Sequence, residues 1–164
     1  MKTLILTMAG TSTRFPGMPP KWSLKHHSGK TMADLSVSGV YGHSKVIVAV
    51  RTEEHYAMAL EALKNSYTCP VNSSRIVIVG ETGSHVETVQ NAIKYGNVTG
   101  PFVTKDCDNA YQINVNLYDN FVAVGNSSRL SSVRTDNKGL VVIKNDLVWR
   151  ATDERHRTDT FLAG

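Results

Sequence analysis

The sequence predicts an α/β fold with three α/β/α layers around a mostly parallel, Rossmann-like sheet, and with antiparallel additions near the C-terminus. Two observations lead to this prediction. Short apolar runs alternate with helical stretches as far as residue 104, and later apolar runs follow one another without a helical stretch between them. Alternation of strand and helix is typical of parallel sheets with right-handed crossovers.

Apolar runs bounded by turn residues predict four buried strands, over residues 4–8, 45–50, 75–80 and 101–104. Helices are expected between them, over residues 31–37, from a Thr52 cap to about residue 65 and from a Ser84 cap to about residue 95. Ser84 and Glu87 have the spacing of a capping box. The expected core positions of the second and third helices are Ala57, Leu60, Ala62, Leu63, Val86, Val89, Ala92 and Ile93.

The C-terminal part of the sequence predicts fewer elements. Residues 120–125 and 140–144 have strand patterns, and the sequence is polar from residue 146 onward, where no further core element is expected. We therefore expect one α/β domain over residues 1–145 and a polar tail over residues 146–164.

The composition is that of an ordinary globular domain. With 164 residues, of which 41% are hydrophobic, the chain is long and apolar enough to bury a core. No apolar run approaches the about 20 residues of a membrane span, so a cytoplasmic location without membrane contact is the default expectation. Cys69 and Cys107 form neither a disulfide framework nor a zinc spacing. The net charge of +4 is mild, and no basic helix or aromatic ladder indicates a nucleic-acid partner.

Small and basic residues follow the first strand. The small residues are Ala9, Gly10, Thr11, Ser12 and Thr13. Small residues let backbone N–H groups approach an anion closely, and the side chains of Arg14 and Lys21 can bind phosphate oxygens. Residues 1–33 contain no carboxylate side chain. The segment predicts a polyphosphate-binding loop, and the alternative is a solvated basic loop with ordinary turn residues.

Asp106 and Asp108 follow the fourth predicted strand. Carboxylates two positions apart on an extended segment point to the same side, so both can approach one cation. Mg²⁺ binds one or two carboxylates together with water and phosphate oxygens, and Mn²⁺ prefers similar ligands. The alternative is a turn in which both carboxylates bond their own backbone. Cys107 is expected to be structural rather than nucleophilic, because no neighbouring base is placed to activate it.

The first strand and its loop resemble the signature of the sugar-nucleotidyltransferase-like family. The matching segments are Met8-Ala9-Gly10, then Gly10-Thr11-Ser12-Thr13-Arg14, then Pro20-Lys21. Ser12 replaces the second glycine of the family loop, and Trp22 stands where the family has a proline. The family, like related glycosyltransferases, places a metal-binding aspartate at the end of the fourth strand, where this sequence has Asp106-Cys107-Asp108.

The resemblance implies roles for these residues. The backbone of residues 10–13 and the Arg14 side chain would hold the β- and γ-phosphates of a nucleoside triphosphate, and Ala9 would be a further nucleotide-binding residue. Lys21 would stabilise the charge that develops around the α-phosphate. Asp106, assisted by Asp108, would hold Mg²⁺ or Mn²⁺ as the cofactor.

The turn before the third helix falls where the family passes close to the nucleotide base. Gly83 and Ser84 are therefore candidate nucleotide-binding residues, although a helix-capping role explains Ser84 equally well. His85 is expected to be an exposed residue of the first helical turn. Trp22 can stack on a ligand, but packing within the loop is the simpler interpretation.

The function implied by the resemblance is nucleotidyl transfer from a nucleoside triphosphate to a phosphorylated small molecule, namely a sugar phosphate, with release of pyrophosphate. Two alternatives stay open: a glycosyltransferase that uses a nucleotide-sugar through the D-x-D motif, and a non-catalytic module that binds nucleotides or sugar phosphates. The family has a further C-terminal part that closes the acceptor site, and this sequence ends at Gly164. A minimal member, a fragment and a binding-only relative are all consistent with that length.

Overall fold

The computed structural model of the chain describes residues 2–11, 16–66, 76–117, 121–122, 124–126, 140–144, 147–152 and 160–162. The chain forms two compact units, Met1–Tyr118 and Asp119–Gly164.

Among its described residues, the first unit contains six strands and three α-helices. The strands are β1 (Lys2–Met8), β2 (Val40–Tyr41), β3 (His43–Val50), β4 (Ile76–Ile78), β5 (Phe102–Asp106) and β6 (Ile113–Asn114). The helices are α1 (Met32–Ser38), α2 (Glu53–Leu63) and α3 (His85–Tyr95). Each helix begins at a hydroxyl cap that accepts a backbone N–H bond, and the caps are Thr31, Thr52 and Ser84.

The central sheet is parallel, with the strand order β4-β3-β1-β5. All of β1 is buried, as expected of an inner strand covered on both faces. Its residue Thr7 is opposite Ala49 of β3 and opposite Asp106 of β5. The carboxyl ends of these three strands therefore meet at one edge of the sheet.

The two faces of the sheet carry different helices. Ala92 of α3 packs in one cluster with Ile5, Ile47 and Ala49, so α3 covers the face to which these side chains point. Helices α1 and α2 contact each other, and right-handed crossovers place both on the opposite face. The expected α/β fold with a mostly parallel sheet and flanking helices is confirmed.

Two expected core positions are wrong. Ala57 is exposed, and Val86 is 65% exposed. The reason is the same in both helices: each buries a pair four residues apart, Ala59 with Leu63 and Thr88 with Ala92. Ala57 and Val86 stand two positions before these pairs, and residues two apart lie on opposite faces of a helix.

The second unit contains an antiparallel sheet. Its strands are β7 (Val124–Asn126), β8 (Leu140–Lys144), β9 (Leu147–Thr152) and β10 (Thr160–Leu162), in the order β7-β10-β8-β9. Antiparallel strands near the C-terminus were predicted, but within the described residues they pair with one another instead of extending the parallel sheet. Strands β9 and β10 lie in the segment after residue 146, where no further core element was expected. Strand β9 is rich in residues that favour strands, but Arg150 interrupts its apolar pattern, so the strand was not predicted.

Strands β2 and β6 form a small parallel pair that holds the chain after β5 against α1. Ile113 donates its backbone N–H to the carbonyl of Gly39, at 2.8 Å. A Cβ atom at Gly39 would overlap the backbone carbonyl of Tyr111, so this close approach requires glycine. Among the described residues, no helix has the length and apolar character to cross a membrane.

The Gly39→Ala substitution tests the close contact between Gly39 and the backbone of Tyr111. Because the added Cβ would meet backbone rather than a flexible side chain, we expect the free energy of unfolding to fall by about 1–3 kcal/mol in urea denaturation. Gly10→Ala is the matched control, since a Cβ at Gly10 meets nothing within 4 Å, and it should change stability by less than about 0.5 kcal/mol. Equal stability of the two variants would contradict the close packing at Gly39.

Candidate functional site

A cleft of about 360 Å³ opens at the carboxyl edge of the parallel sheet. It lies where the ends of β1 and β5 meet the beginning of α3. The chain leaves β1 toward the α1 side of the sheet and enters β5 from the α3 side, so this is the switch point at which parallel sheets bind ligands. The residues that line the cleft are Thr7, Ala9, Gly10, Thr11, Thr82, Gly83, Ser84, His85, Thr88, Asp106, Cys107 and Asp108.

Most of the predicted site residues are gathered in this cleft. They are Ala9, Gly10, Thr11, Gly83, Ser84, Asp106 and Asp108. Lys21 reaches the cleft through its contact with Asp108. Ser12, Thr13 and Arg14 lie outside the described residues. Three stretches that are far apart in the sequence thus converge as the predicted fold requires, while the roles assigned to them remain predictions.

Asp106 belongs to a triangle of polar contacts with Thr7 and His85. The Thr7 hydroxyl lies 3.3 Å from Asp106 Oδ1 and 3.3 Å from His85 Nε2, and His85 Nε2 lies 3.3 Å from Asp106 Oδ1. Thr7 can also donate to the carbonyl of Lys105, at 3.4 Å. The triangle joins β1, β5 and α3 and fixes one oxygen of the Asp106 carboxylate.

The contacts of this triangle shift the pKa values of His85 and Asp106. The hydrogen bond to Asp106 raises the pKa of His85, an effect that partial burial opposes. The hydrogen bond from His85 lowers the pKa of Asp106, again against the effect of burial. Asp106 is therefore an ionised carboxylate at neutral pH. His85 is an exposed residue of the first helical turn, as predicted, but neither its pairing with Asp106 nor the contacts of Thr7 were predicted from the sequence. The available signal was Thr7, the polar residue inside the otherwise apolar run of residues 4–8.

Lys21 is held beside the cleft by its neighbours. It begins a 3-10 helix, Lys21–Ser23, which is closed by a bond from the Ser23 hydroxyl to the carbonyl of Pro20, at 2.8 Å. Trp22 is 2% exposed and packs edge-on against His55, in agreement with the packing interpretation of this residue. With Trp22 anchored in this way, the Lys21 ammonium lies 3.6 Å from the Asp108 carboxylate.

The beginning of α3 forms the opposite wall. The Ser84 hydroxyl accepts the backbone N–H of Glu87, and the Glu87 carboxylate accepts the backbone N–H of Gly83 at 2.7 Å, so the predicted cap is formed. These groups are used within the cap, which supports the capping explanation of Ser84 and leaves a base contact as a prediction. The positive end of the helix dipole nevertheless faces the cleft and favours an anion there.

Within the part of the chain that the structure describes, the cleft contains no activated nucleophile and no complete metal cage. Burial, reinforced by the flanking carboxylates Asp108 and Asp106, raises the pKa of Cys107 to about 12, so its thiol is protonated. Among the described residues, no group of three or more His, Cys, Asp and Glu side chains is placed to hold a metal ion. The carboxylates of Asp106 and Asp108 are oxygen donors of the kind that suits Mg²⁺ when phosphate oxygens and water complete the shell.

The fold is similar to that of a known enzyme. The solved structure of the inositol-1-phosphate CTP transferase from T. maritima matches 100% of this chain and 69% of that chain with a TM-score of 0.69. The sequence identity is 12%, so the similarity is one of fold alone, and this chain shares the α/β fold of that transferase. In comparisons of sequence, no family model matches, and no curated protein matches.

The pairing of His85 with Asp106 predicts a pH-dependent contribution to stability. Because the folded-state pKa of His85 is raised, the contribution is complete below its ordinary value of 6.5 and is lost as the pH rises through the folded-state pKa. His85→Gln should therefore cost more stability at about pH 5.5 than at about pH 8.5, by less than about 1 kcal/mol since the imidazole is half-exposed.

Urea denaturation without divalent ions measures this difference. The control is His27→Gln, which removes an exposed imidazole outside the cleft. An effect of His85→Gln that is equal at both pH values would contradict the ion pair.

Proposed function

We propose that the protein transfers a nucleotidyl group from a nucleoside triphosphate to a phosphorylated small molecule, namely a sugar phosphate, and releases pyrophosphate. The observation that carries the proposal is the meeting of three groups at the switch point of a nucleotidyltransferase-like fold: the small-residue loop after β1, the ionised Asp106, and Lys21. Each group supplies one requirement of phosphoryl chemistry, namely close backbone approach, a donor for a cation and a positive charge.

The triphosphate would lie along the loop after β1. Gly10 and Thr11 are exposed at the cleft, and no neighbouring atom would block even a Cβ at Gly10, so the backbone is open to a ligand. Arg14 is assigned to the β- and γ-phosphates by its place in the loop signature. The nearby beginning of α3 adds favourable potential for an anion.

Mg²⁺ or Mn²⁺ is the proposed cofactor, with Asp106 and Asp108 as the residues that would hold it. Both carboxylates line the cleft, and Asp106 is charged at neutral pH. When bound, such an ion neutralises charge on the phosphates. Two carboxylates leave room in its shell for water and phosphate oxygens, which is the usual arrangement for Mg²⁺.

The chemistry requires positioning rather than a protein nucleophile. An oxygen of the acceptor phosphate attacks the α-phosphorus, the bond from the α-phosphorus to the bridging oxygen of the β-phosphate breaks, and pyrophosphate leaves. Lys21 would stabilise the negative charge around the α-phosphate in the transition state. The protonated thiol of Cys107 agrees with a direct transfer.

Ligand-dependent stabilisation tests binding. Each nucleoside triphosphate and several nucleotide-sugars are added with and without Mg²⁺ or Mn²⁺, and thermal unfolding is followed. A ligand at about 100 times its dissociation constant should stabilise the fold by about 2.7 kcal/mol. Asp106→Asn should abolish the part of this stabilisation that requires the metal ion. The control Glu81→Gln should retain it, because Glu81 pairs with Arg51 and is not among the residues that line the cleft.

Release of pyrophosphate in the presence of sugar phosphates tests catalysis. Lys21→Met should lower kcat by at least about 100-fold, because one stabilising charge is lost in the transition state. Lys30→Met is the matched control: it removes a lysine whose partner is Asp34, on α1, and should keep kcat. Unchanged kcat in Lys21→Met would remove Lys21 from the mechanism.

The remaining outcomes separate the alternative functions. Stabilisation by a triphosphate without release of pyrophosphate from any phosphorylated sugar would support a binding module. Preferential stabilisation by a nucleotide-sugar would support a glycosyltransferase. No stabilisation by any ligand would contradict all three functions for this chain.

A further inference from the structure

Lys105 is a buried lysine on β5, directly before Asp106. Its side chain is almost fully buried, with 1% exposure. Lysine is seldom buried unless hydrogen bonds compensate for the lost hydration of its amino group. The contacts of this amino group therefore indicate why a lysine occupies the position.

Within the described residues, the Lys105 amino group donates hydrogen bonds to the last residue of β5 and to the turn that follows it. Nζ donates to the carbonyl of Asp106 at 2.8 Å, to the carbonyl of Asn109 at 2.8 Å and to the side-chain oxygen of Asn109. It also lies 4.6 Å from the centre of the Tyr111 ring, which is a cation–π distance. One amino group thus joins both ends of the segment that contains Asp106 and Asp108.

This arrangement constrains the two carboxylates. The amino group bonds the backbone carbonyls of Asp106 and Asn109, which lie on either side of Asp108. Two residues further on, the backbone of Tyr111 lies against Gly39. Without the amino group, two backbone carbonyls and the Asn109 amide oxygen would lose one donor. The turn would then gain alternative conformations, and the position of Asp108 relative to Asp106 would no longer be defined.

We propose that Lys105 is a positioning residue that sets the mutual placement of Asp106 and Asp108 and thereby the affinity of the cleft for a divalent cation. The inference rests on the proposed function, since it assigns the two carboxylates to the cation. Lys105 itself does not line the cleft, so it acts through the turn. Groups that orient metal-binding side chains in this way typically contribute about 10- to 100-fold to metal affinity.

Lys105→Met tests the inference, because methionine fills much of the same volume without the donor. Binding of Mn²⁺ alone to the full chain is measured by water proton relaxation, and thermal stability is measured in parallel. We expect Lys105→Met to weaken Mn²⁺ binding by at least about 10-fold.

Lys45→Met is the matched control. Lys45 donates to one backbone carbonyl, that of Gly96, and lies at the amino end of β3, away from the cleft. Lys45→Met should lower stability and leave Mn²⁺ affinity within about twofold of the wild-type value, because Lys45 makes no contact that orients Asp106 or Asp108. Equal losses of affinity in the two variants would show a general structural effect and overturn the inference.

Asn109→Ala is the second variant, needed in case Lys105→Met does not fold. It removes one acceptor and keeps the lysine, so a smaller loss of Mn²⁺ affinity is expected, and wild-type affinity would overturn the inference. Wild-type affinity in a folded Lys105→Met would overturn it while leaving the proposed function intact. Absence of Mn²⁺ binding by the unsubstituted chain would overturn the inference together with the metal part of the proposed function.

Discussion

The parallel pairing of β1 with both β3 and β5 is the constraint on which the rest of the structure depends. Because β1 is central and buried along its whole length, its register with β5 places Thr7 opposite Asp106. This pairing brings the loop after β1 to the turn after β5, although about a hundred residues separate them. A slip of one residue would turn the side chains of β5 to the other face and dismantle the triangle around Asp106.

The cleft is shaped by contacts that lie outside it. Trp22 anchors the turn that presents Lys21, the Ser84 cap fixes the beginning of α3, and Lys105 closes the turn that carries Asp108. These anchors are backbone bonds and buried side chains, which are stronger restraints than the half-exposed ion pair between Lys21 and Asp108. The candidate functional groups can therefore exchange partners while the segments that carry them stay in place.

The elements of the parallel sheet could be predicted because burial on both faces leaves continuous apolar runs, and because hydroxyl caps mark the helix starts. Positions that are determined by tertiary contacts could not be predicted. Val86 has the apolar character of a core residue, but the face buried by α3 is defined by Thr88 and Ala92. The pairing of His85 with Asp106 could not be predicted, because it depends on how β5 and α3 are placed in the folded chain. Strand β10 is too short to show a period of two.

The charges of the cleft favour a ligand that carries both signs. Each carboxylate already has a basic neighbour, Asp106 with His85 and Asp108 with Lys21. A cation alone would have to compete with these bases, and an anion alone would have to draw Lys21 from Asp108. The proposed triphosphate with its divalent ion would avoid both costs, because the carboxylates would gain the ion while Lys21 would gain the phosphate. Binding of the two should therefore be mutually reinforcing, and the reinforcement is reciprocal by thermodynamic linkage.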